Sequence, residues 1–299
     1  MADFLKYLAP CGVTQGEPLA KHTSFKVGGP GEFFLAPSST SLFIDVCKLA
    51  KKHHIPLTIL GDGANVLVSD AGIKGLVITT KNINGIKVLP EGHIVAETGA
   101  RLGKVADAAC KAQLTGFEFA SGIPGTVGGA IYMNAGAYGS DMSHVCTDVT
   151  IFDYEKGVQS IPANKMDFGY RKSLAQAKAG QIFILDATFK LEPGNEGDIK
   201  EKSRELNGKR RASQPLEYPS AGSTFKRPEG YFAGKLIEDS GLKGFAIGGA
   251  EVSEKHAGFV INKGHATAQD IYDLIQTIQA KVYANFGVQL EPEVRLLGF

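Results

Sequence analysis

Residues 121–139 read SGIPGTVGGAIYMNAGAYG and place six glycines within 19 positions. Small hydroxyl and apolar side chains separate the glycines, and a surface loop would not need Ile123, Val127, Ile131 and Met133. Such a segment can wrap a phosphate group with its backbone amides while the apolar residues anchor it in the core. The alternative is a glycine-rich crossing with a purely structural role, although loops this regular usually carry function. The spacing is not GxGxxG at the start of a long helix, so the Rossmann pattern is not met.

A second glycine segment, GDGAN at residues 61–65, directly follows the apolar residues LTIL. Glycines let successive N–H groups turn inward and form a nest that binds an anion. Gly, Asp and Asn also dominate ordinary turns, so a plain turn is the alternative interpretation of this segment.

The composition describes a folded protein with little net charge. The chain has 299 residues, with 32 Lys and Arg against 31 Asp and Glu and a net charge of +1. That balance argues against an electrostatic binder of nucleic acid or of an anionic membrane. Hydrophobic residues make up 43% and charged residues 21%, and the length predicts two or three domains. Glycine is the outlier, because 37 residues are about 12% of the chain against a usual share of roughly 7%.

Targeting and metal-binding signals are missing from the sequence pattern. The first ten residues, MADFLKYLAP, lack the basic start and apolar core of a signal peptide, and no apolar run reaches the roughly 18 residues of a membrane span. Four scattered cysteines form no CxxC pair, and seven histidines show no HExxH spacing, which predicts neither a disulfide framework nor a metal site. We therefore expect a reduced, cytoplasmic protein.

The hydrophobic pattern predicts an α+β protein, because many short strands precede residue 191 with few helices between them. The turn-rich residues 192–198, EPGNEGD, are the candidate domain boundary. Thr267 is expected to cap a helix with an apolar stripe of Ile271, Leu274, Ile275, Ile278 and Val282. The predicted helices span 41–54, 101–114 (with Gly116 as its C-terminal cap), 199–211, 231–240 and 268–285; the predicted strands span 57–60, 76–80, 93–99, 182–191 and 288–298, with a hairpin around EKG at 155–157.

Residues 168–173, FGYRKS, contain a candidate anion-binding arginine. The guanidinium of Arg171 offers a planar fork of donors that suits a carboxylate or a phosphate. A solvated loop is the alternative interpretation.

Residues 221–228, AGSTFKRP, place Ser223 after a glycine, where it could act as a nucleophile, a proton donor or a helix cap. The nucleophile elbow requires GxSxG, and Phe225 stands where its second glycine should be, so a serine hydrolase is disfavoured. The neighbouring Lys226 and Arg227 suit an anionic substrate.

The C-terminal residues alternate with a period of two, as in a strand. Pro292 favours an edge strand or a bulge. A row of solvated charges is the alternative to a functional role for the two glutamates. One predicted face holds Glu291, Glu293 and Arg295, and the other holds Leu290, Pro292, Val294 and Leu296.

Together and in this order, these stretches resemble one family, the UDP-N-acetylenolpyruvoylglucosamine reductases, flavoenzymes of peptidoglycan precursor synthesis. The resemblance spans nearly the whole chain, and the combination is far more specific than any single motif. The compact length is similar to that of the shorter members, which lack an added loop with a substrate-side Tyr. The matching stretches are KHTSFKVGGP, GDGANVLV, SGIPGTVGGAIYMNAGAYG, FGYRKS, AGSTFKRP, GLKGFAIGGAEVSEKHAGFVIN and LEPEVRLLG.

The resemblance implies an FAD-binding domain of the p-cresol-methylhydroxylase type over residues 1–192, with subdomains of about 1–80 and 81–192. A smaller α+β substrate-binding domain follows over 193–299. The implied ligands are one non-covalent FAD, NADPH as co-substrate and a UDP-sugar substrate, in a monomer without a metal, nucleic-acid or membrane partner. The implied FAD-binding residues are Gly61, Asp62, Gly63, Ala64, Asn65, Ser121, Gly122, Ile123, Pro124, Gly125, Thr126, Gly128, Gly129, Asn134 and Ala135.

The implied reaction reduces the enolpyruvyl group of UDP-N-acetylglucosamine enolpyruvate to give UDP-N-acetylmuramate. A hydride from NADPH reaches the alkene carbon C3 through FAD, charge builds at C2 and spreads into the carboxylate, and a proton then arrives at C2. The family's motif positions imply Arg171 for the carboxylate charge, Ser223 as the proton donor and Glu293 as a second stabiliser. Glu293 would act in its protonated form, since an ionised carboxylate would repel the enolate. The implied substrate-binding residues are Tyr170, Lys226 and Arg227, the last standing where the family often has Asn.

Two other classes of protein remain open at this point. Another flavin-dependent oxidoreductase of the same fold would act on an alcohol or a carbohydrate; such enzymes often tether flavin through His or Cys, and neither occurs in 61–65 or 121–139. A non-catalytic nucleotide-binding module would need the glycine segments but not Arg171, Ser223 and Glu293 together.

Overall fold

The polypeptide passes back and forth between two units in the computed structural model, which describes residues 6–299. The first five residues, on which part of the signal-peptide prediction rests, lie outside the described residues. The predicted division between residues 192 and 193 stays a prediction. Unit 1 comprises the chain up to Thr14, Phe34–Asp62 and Leu76–Arg210, and unit 2 comprises Gln15–Phe33, Gly63–Gly75 and Arg211–Phe299.

Helices and short strands are mixed along the chain, as the α+β prediction requires. None of the helices within residues 6–299 has the length and apolarity that a membrane crossing needs. The helices are α1 (Thr40–Lys52), α2 (Leu102–Lys111), α3 (Val127–Met133), α4 (Leu174–Ala177), α5 (Glu196–Ser213), α6 (Ala233–Asp239) and α7 (Ala268–Phe286). The strands are β1 (Thr14–Pro18), β2 (Pro30–Leu35), β3 (Leu57–Leu60), β4 (Val66–Val68), β5 (Ile73–Thr79), β6 (Ile86–Leu89), β7 (His93–Glu97), β8 (Leu114–Thr115), β9 (Gly136–Ala137), β10 (Ser140–Asp141), β11 (Cys146–Asp153), β12 (Gly157–Pro162), β13 (Ile182–Lys190), β14 (Glu192–Pro193), β15 (Ala246–Ile247), β16 (Ala250–Val252), β17 (Val260–Asn262) and β18 (Arg295–Leu297).

A five-stranded antiparallel sheet forms the centre of unit 1, in the order β12-β11-β13-β7-β6. β11 and β12 form the hairpin that the EKG turn predicts, with Asp153 opposite Gly157. Gly157 has a φ of 76°, a left-handed conformation that favours glycine. β13 lies between β11 and β7 and is buried along most of its length, which explains its nearly continuous apolar sequence.

Helix α2 turns its apolar face into the core of unit 1. Three of the five buried side chains on that face are small, two alanines and one cysteine, which lets the helix pack closely. The residues of that face, Leu102, Val105, Ala106, Ala109 and Cys110, are all buried.

The end of α2 differs from the prediction. The helix stops at Lys111, and Ala112 rather than Gly116 is its C-terminal cap. Gln113 then takes a left-handed φ of 57°, so the chain has turned away before it reaches Gly116. The prediction of Gly116 as the cap is therefore wrong.

Helix α7 organises the core of unit 2. Thr267 caps it as predicted: its Oγ1 accepts from the Asp270 N–H at 3.0 Å, and the Asp270 carboxylate accepts from the Thr267 N–H at 2.9 Å. Asp70 adds a second cap by accepting from the N–H groups of Ala268 and Gln269, both at 2.9 Å. The predicted stripe is confirmed, because Ile271, Leu274, Ile275, Ile278 and Val282 are fully buried.

The predicted final strand is only partly right. β18 pairs in parallel with β4, but the residues before it form a single bridge in which Pro292 lies opposite Phe225. The residues on either side of Pro292 make the backbone bonds to the facing segment, so this position tolerates a residue without an N–H. Leu290 and Val294 are buried as the predicted face requires, whereas Leu296 is exposed.

Candidate functional site

The two glycine segments meet in unit 1. A Cβ atom on Gly61 would lie 2.3 Å from Oγ1 of Thr126, so a side chain at position 61 would collide with the second segment. Gly128 is restricted in the same way, because its Cβ would lie 2.1 Å from Oγ1 of Thr98. Its N–H also donates to the Thr98 carbonyl at 2.8 Å. Both glycines are therefore explained by close packing of backbone against a threonine.

Helix α5 contacts the start of the second glycine segment. Nδ2 of Asn207 donates to Oγ of Ser121 at 3.1 Å, and a Cβ on Gly122 would lie 2.1 Å from Oδ1 of the same asparagine. Arg210 approaches the same glycine, and burial lowers the pKa of its guanidinium, an effect that Tyr138 opposes. Neither α5 residue could be recognised from the sequence, because the helix has a basic composition and the Asn207–Ser121 contact spans 86 positions.

These segments line a cavity of about 720 Å³ in unit 1. Residues 121–125 form part of its wall, and the hydroxyl of the next residue, Thr126, is buried and has no hydrogen-bond partner among residues 6–299. Glycine backbone, an unsatisfied hydroxyl and a positive wall fit the predicted FAD, whose pyrophosphate is negatively charged. The charged groups of the lining are Arg101, Lys104, Lys111, Lys200 and Arg204 against Asp62, Asp107 and Glu196.

The rest of the first glycine segment, residues 63–65, belongs to unit 2. Gly63 has a left-handed φ of 66°, and its carbonyl accepts from the Ser24 N–H at 3.0 Å. Asn65 donates from Nδ2 to the Glu293 carbonyl at 3.1 Å and accepts from the Arg295 N–H at 3.0 Å. Asn65 thus fixes the C-terminal segment, and a contact of residues 63–65 with FAD stays a prediction.

Asn134 and Ala135 follow α3 in unit 1. Asn134 has a left-handed φ of 42°, and its Nδ2 donates to the Gly169 carbonyl at 3.1 Å. Its Oδ1 accepts from the Ser143 N–H at 3.0 Å. The buried amide therefore ties two loops together, and its predicted contact with FAD stays a prediction.

A tight turn presents Tyr170 and Arg171. Gly169 and Lys172 exchange two backbone hydrogen bonds of 3.1 Å, which closes the turn. Arg171 has a φ of 54°, an uncommon value for a residue with a side chain, and its carbonyl accepts from Nε2 of Gln176 at 3.3 Å. The guanidinium carbon lies 5.2 Å from the centre of the Tyr170 ring. The turn thus holds Arg171 in one backbone conformation.

Unit 2 brings Ser223 and Glu293 onto adjoining backbone segments. The Glu293 N–H donates to the carbonyl of Thr224 at 2.8 Å, and the Glu293 carbonyl accepts from Asn65. Thr224 is fully buried, and its Oγ1 accepts from the Val260 N–H at 3.0 Å. Thr224 thus anchors the segment while its neighbour Ser223 stays exposed.

The two predicted substrate-binding cations of unit 2 are both oriented by the protein. The Lys226 ammonium forms an ion pair with the Glu291 carboxylate. The Arg227 guanidinium lies 4.0 Å from the centre of the Phe232 ring, and its Nε donates to the Tyr231 carbonyl at 3.3 Å. The view of Glu291 as a purely solvated charge is therefore incomplete, because its exposed side chain has a partner.

Metal-binding clusters are absent from the described residues, and the protonation state of two cysteines follows from their burial. Residues 6–299 contain no group of three or more His, Cys, Asp or Glu side chains that could hold a metal ion. The four cysteines are free thiols. Burial raises the pKa of Cys47 and of Cys146 to about 12 each, so both thiols stay protonated at neutral pH.

Comparisons with known proteins agree with this geometry. A family model described as "UDP-N-acetylenolpyruvoylglucosamine reductase, C-terminal domain" matches residues 214–297, and a model described as "FAD binding domain" matches residues 31–159. The UDP-N-acetylenolpyruvoylglucosamine reductase of Clostridium perfringens (strain SM101 / Type A) is 48% identical over 287 residues, which cover 96% of this chain and 93% of the relative. That of Caldanaerobacter subterraneus subsp. tengcongensis is 50% identical over 283 residues, covering 94% and 92%.

A solved structure extends the likeness to three dimensions. The crystal structure of the reductase of this name from Thermus caldophilus matches with a TM-score of 0.80 and 30% sequence identity, covering 95% of this chain and 98% of that one. The resemblance found in the sequence is confirmed, and so is the α+β fold class with an FAD-binding domain and a separate C-terminal domain.

Proposed function

The chain belongs to the family of UDP-N-acetylenolpyruvoylglucosamine reductases, and we propose that Arg171, Ser223 and Glu293 perform its catalytic steps. It is an FAD-dependent oxidoreductase that reduces the enolpyruvyl group of UDP-N-acetylglucosamine enolpyruvate to form UDP-N-acetylmuramate, a peptidoglycan precursor. One observation supports the residue assignment above all others: the backbone hydrogen bond of 2.8 Å from Glu293 to Thr224 keeps Glu293 beside Ser223 within unit 2.

The glycine segments hold FAD in this proposal. When bound, FAD supplies the two-electron relay that moves a hydride from NADPH to C3 of the enolpyruvyl group. Asp62 and residues 121–125 line the cavity that would receive the cofactor, and the next residue, Thr126, has a buried hydroxyl without a hydrogen-bond partner among residues 6–299. Binding is non-covalent in this proposal: residues 61–65 and 121–139 contain neither His nor Cys, and the thiol of Cys110, which lines the cavity, faces the Glu196 carbonyl at 3.9 Å.

Arg171 stabilises the charge that develops on the substrate. Once C3 has been reduced, negative charge builds at C2 and spreads into the adjacent carboxylate. A guanidinium offers two parallel donors to a carboxylate, and donors placed before the reaction stabilise developing charge most effectively. The closed turn supports this role, because it fixes the backbone of Arg171 at a φ of 54°.

Ser223 donates the proton that C2 requires. A serine hydroxyl is a weak acid in water, so it works only against a strongly basic carbanion and where the resulting alkoxide is stabilised. Lys226 is the candidate for that stabilisation, three residues further along the same segment. Glu293, in its protonated form, adds a hydrogen bond to the enolate-like carboxylate without repelling it.

The substrate is a small UDP-sugar, and its diphosphate suits the cations of unit 2. Arg227 binds the diphosphate, Lys226 contacts the substrate beside Ser223, and Tyr170 is a third proposed substrate contact. The protein acts as a monomer in the cytoplasm and binds no nucleic acid. The free thiols agree with a cytoplasmic location, and the net charge of +1 agrees with the absence of nucleic-acid binding.

Stopped-flow measurement of the two half-reactions tests the role of Ser223. Ser223→Ala should leave the bleaching of flavin absorbance by NADPH unchanged and slow the return of absorbance on adding substrate by about 10²–10⁴-fold, the usual contribution of proton donation. Ser220→Ala, three residues earlier, is the matched control and should behave as the wild type. An equal loss in both half-reactions would show that Ser223 has a structural role instead.

A further inference from the structure

One side chain connects the two glycine segments of unit 1. The backbone of Arg101 pairs with Thr126 in an antiparallel bridge, and the next N–H, that of Leu102, donates to the Gly125 carbonyl at 3.1 Å. The guanidinium reaches Asp62, with 2.9 Å from Nε to Oδ2 and 3.3 Å from Nη2 to Oδ1. Arg101 is therefore attached to the second segment by its backbone and to the first by its side chain.

The guanidinium of Arg101 retains donors for a ligand. It has five N–H groups, of which two point to Asp62. Asp62 is its one protein partner within residues 6–299, and the side chain is 66% exposed in the wall of the large cavity. Three N–H groups thus remain available on the side of the cavity, in a planar arrangement that matches phosphate oxygens.

Asp62 cannot itself bind a phosphate, because both groups are negatively charged. Its carboxylate is held by Arg101 and, at 3.8 Å from Oδ1, by the Lys81 ammonium. Two cations against one carboxylate leave a net positive charge beside Gly61. The carboxylate also fixes the direction of the Arg101 fork, since a bidentate pair restricts the rotation of the guanidinium.

We propose that Arg101 binds the pyrophosphate of FAD and that Asp62 is the positioning residue that orients it. The proposal rests on the proposed function, because it assumes that FAD occupies this cavity. Lys104 serves as the control that distinguishes a specific contact between Arg101 and FAD from the general positive charge of the cavity wall. It lines the same cavity and carries the same charge, but it pairs with Asp107 on its own helix and does not reach the first glycine segment.

The test is the dissociation constant of FAD, measured by fluorescence titration of the full-length chain stripped of FAD. Arg101→Ala should weaken FAD binding on the order of 10–100-fold, the effect of losing charge-assisted hydrogen bonds, and Arg101→Lys should recover part of the loss. Lys104→Ala should change the constant by less than about threefold. All variants should melt near the wild-type temperature, because the affected side chains are exposed. Equal weakening by Arg101→Ala and Lys104→Ala, or wild-type binding by Arg101→Ala, would overturn the proposal.

Asp62→Asn tests the positioning role of Asp62, because charge alone and positioning predict opposite changes in FAD affinity. Removing a negative charge should tighten the binding of an anion, yet we expect weaker FAD binding because Arg101 loses its orientation. In the Arg101→Ala background the same change should cause no further loss. Tighter binding, or an equal loss in both backgrounds, would exclude a positioning role for Asp62. A wild-type chain that binds no FAD would instead contradict the proposed function itself.

Discussion

Gly129 offers a sharp test of where the cofactor lies, because its protein surroundings accept a side chain. A Cβ atom there would lie 3.8 Å from Oγ1 of Thr126, an ordinary contact, within the first turn of α3. Gly129→Ala should stabilise the FAD-free chain by about 0.4–1 kcal/mol, or roughly 1–4 °C in melting temperature, by restricting the unfolded state. The same methyl group should block the approach of FAD to the backbone and weaken binding by roughly 10–100-fold, the value of a lost charge-assisted hydrogen bond.

Thermal unfolding of the FAD-free chain and fluorescence titration with FAD measure the two effects separately. Gly208→Ala in α5 is the matched control, because a Cβ there meets nothing within 4 Å and should stabilise the helix without changing FAD affinity. Gly125 cannot serve, since its φ of 131° would strain any side chain whether or not FAD binds there. Wild-type FAD affinity in a stabilised Gly129→Ala chain would refute the placement of FAD on residues 121–139.

Two further predictions concern the C-terminal glutamates and one histidine. Glu293→Gln should reduce the substrate faster than Glu293→Ala, because an amide still donates a hydrogen bond. Glu291→Ala should stay near the wild-type rate. Stopped-flow rates in the opposite order would show that Glu291, not Glu293, is the catalytic glutamate. Burial lowers the pKa of His256, whose Nδ1 accepts from the Gly258 N–H at 3.0 Å and does so only when unprotonated. The unfolded state therefore binds the proton more readily than the folded state. The free energy of unfolding should fall as the pH drops below the ordinary histidine pKa of about 6.5. His256→Gln should flatten this dependence on pH when the free energy is measured by urea titration. A profile as steep as that of the wild type would contradict the assignment to His256.

Elements set by nearby residues could be predicted from the sequence. Thr267 and the stripe of α7 lie within a few turns of one another, and the EKG hairpin closes over three residues. The cap of α2 could not be predicted in this way, because Gln113 adopts a left-handed conformation that glycine would adopt more easily. The final strand is shorter than its alternation predicts, because Pro292 meets only one residue of the facing segment.

Site residues whose roles depend on contacts between distant segments could not be predicted from the sequence. Motifs identified the glycine segments, Arg171, Ser223 and Glu293 as candidates, and their roles remain predictions. Arg101 gave no signal, since its meaning depends on Asp62, 39 positions earlier. Asn207 gave none either, because a polar residue in a basic helix looks solvated until the fold places it against Ser121.

An anaerobic absorbance spectrum of the purified protein tests the central claim most directly. The spectrum should show bound flavin, bleach on addition of NADPH, and recover on addition of UDP-N-acetylglucosamine enolpyruvate with formation of UDP-N-acetylmuramate. Protein that carries no flavin, or flavin that stays bleached in the presence of the UDP-sugar, would contradict it.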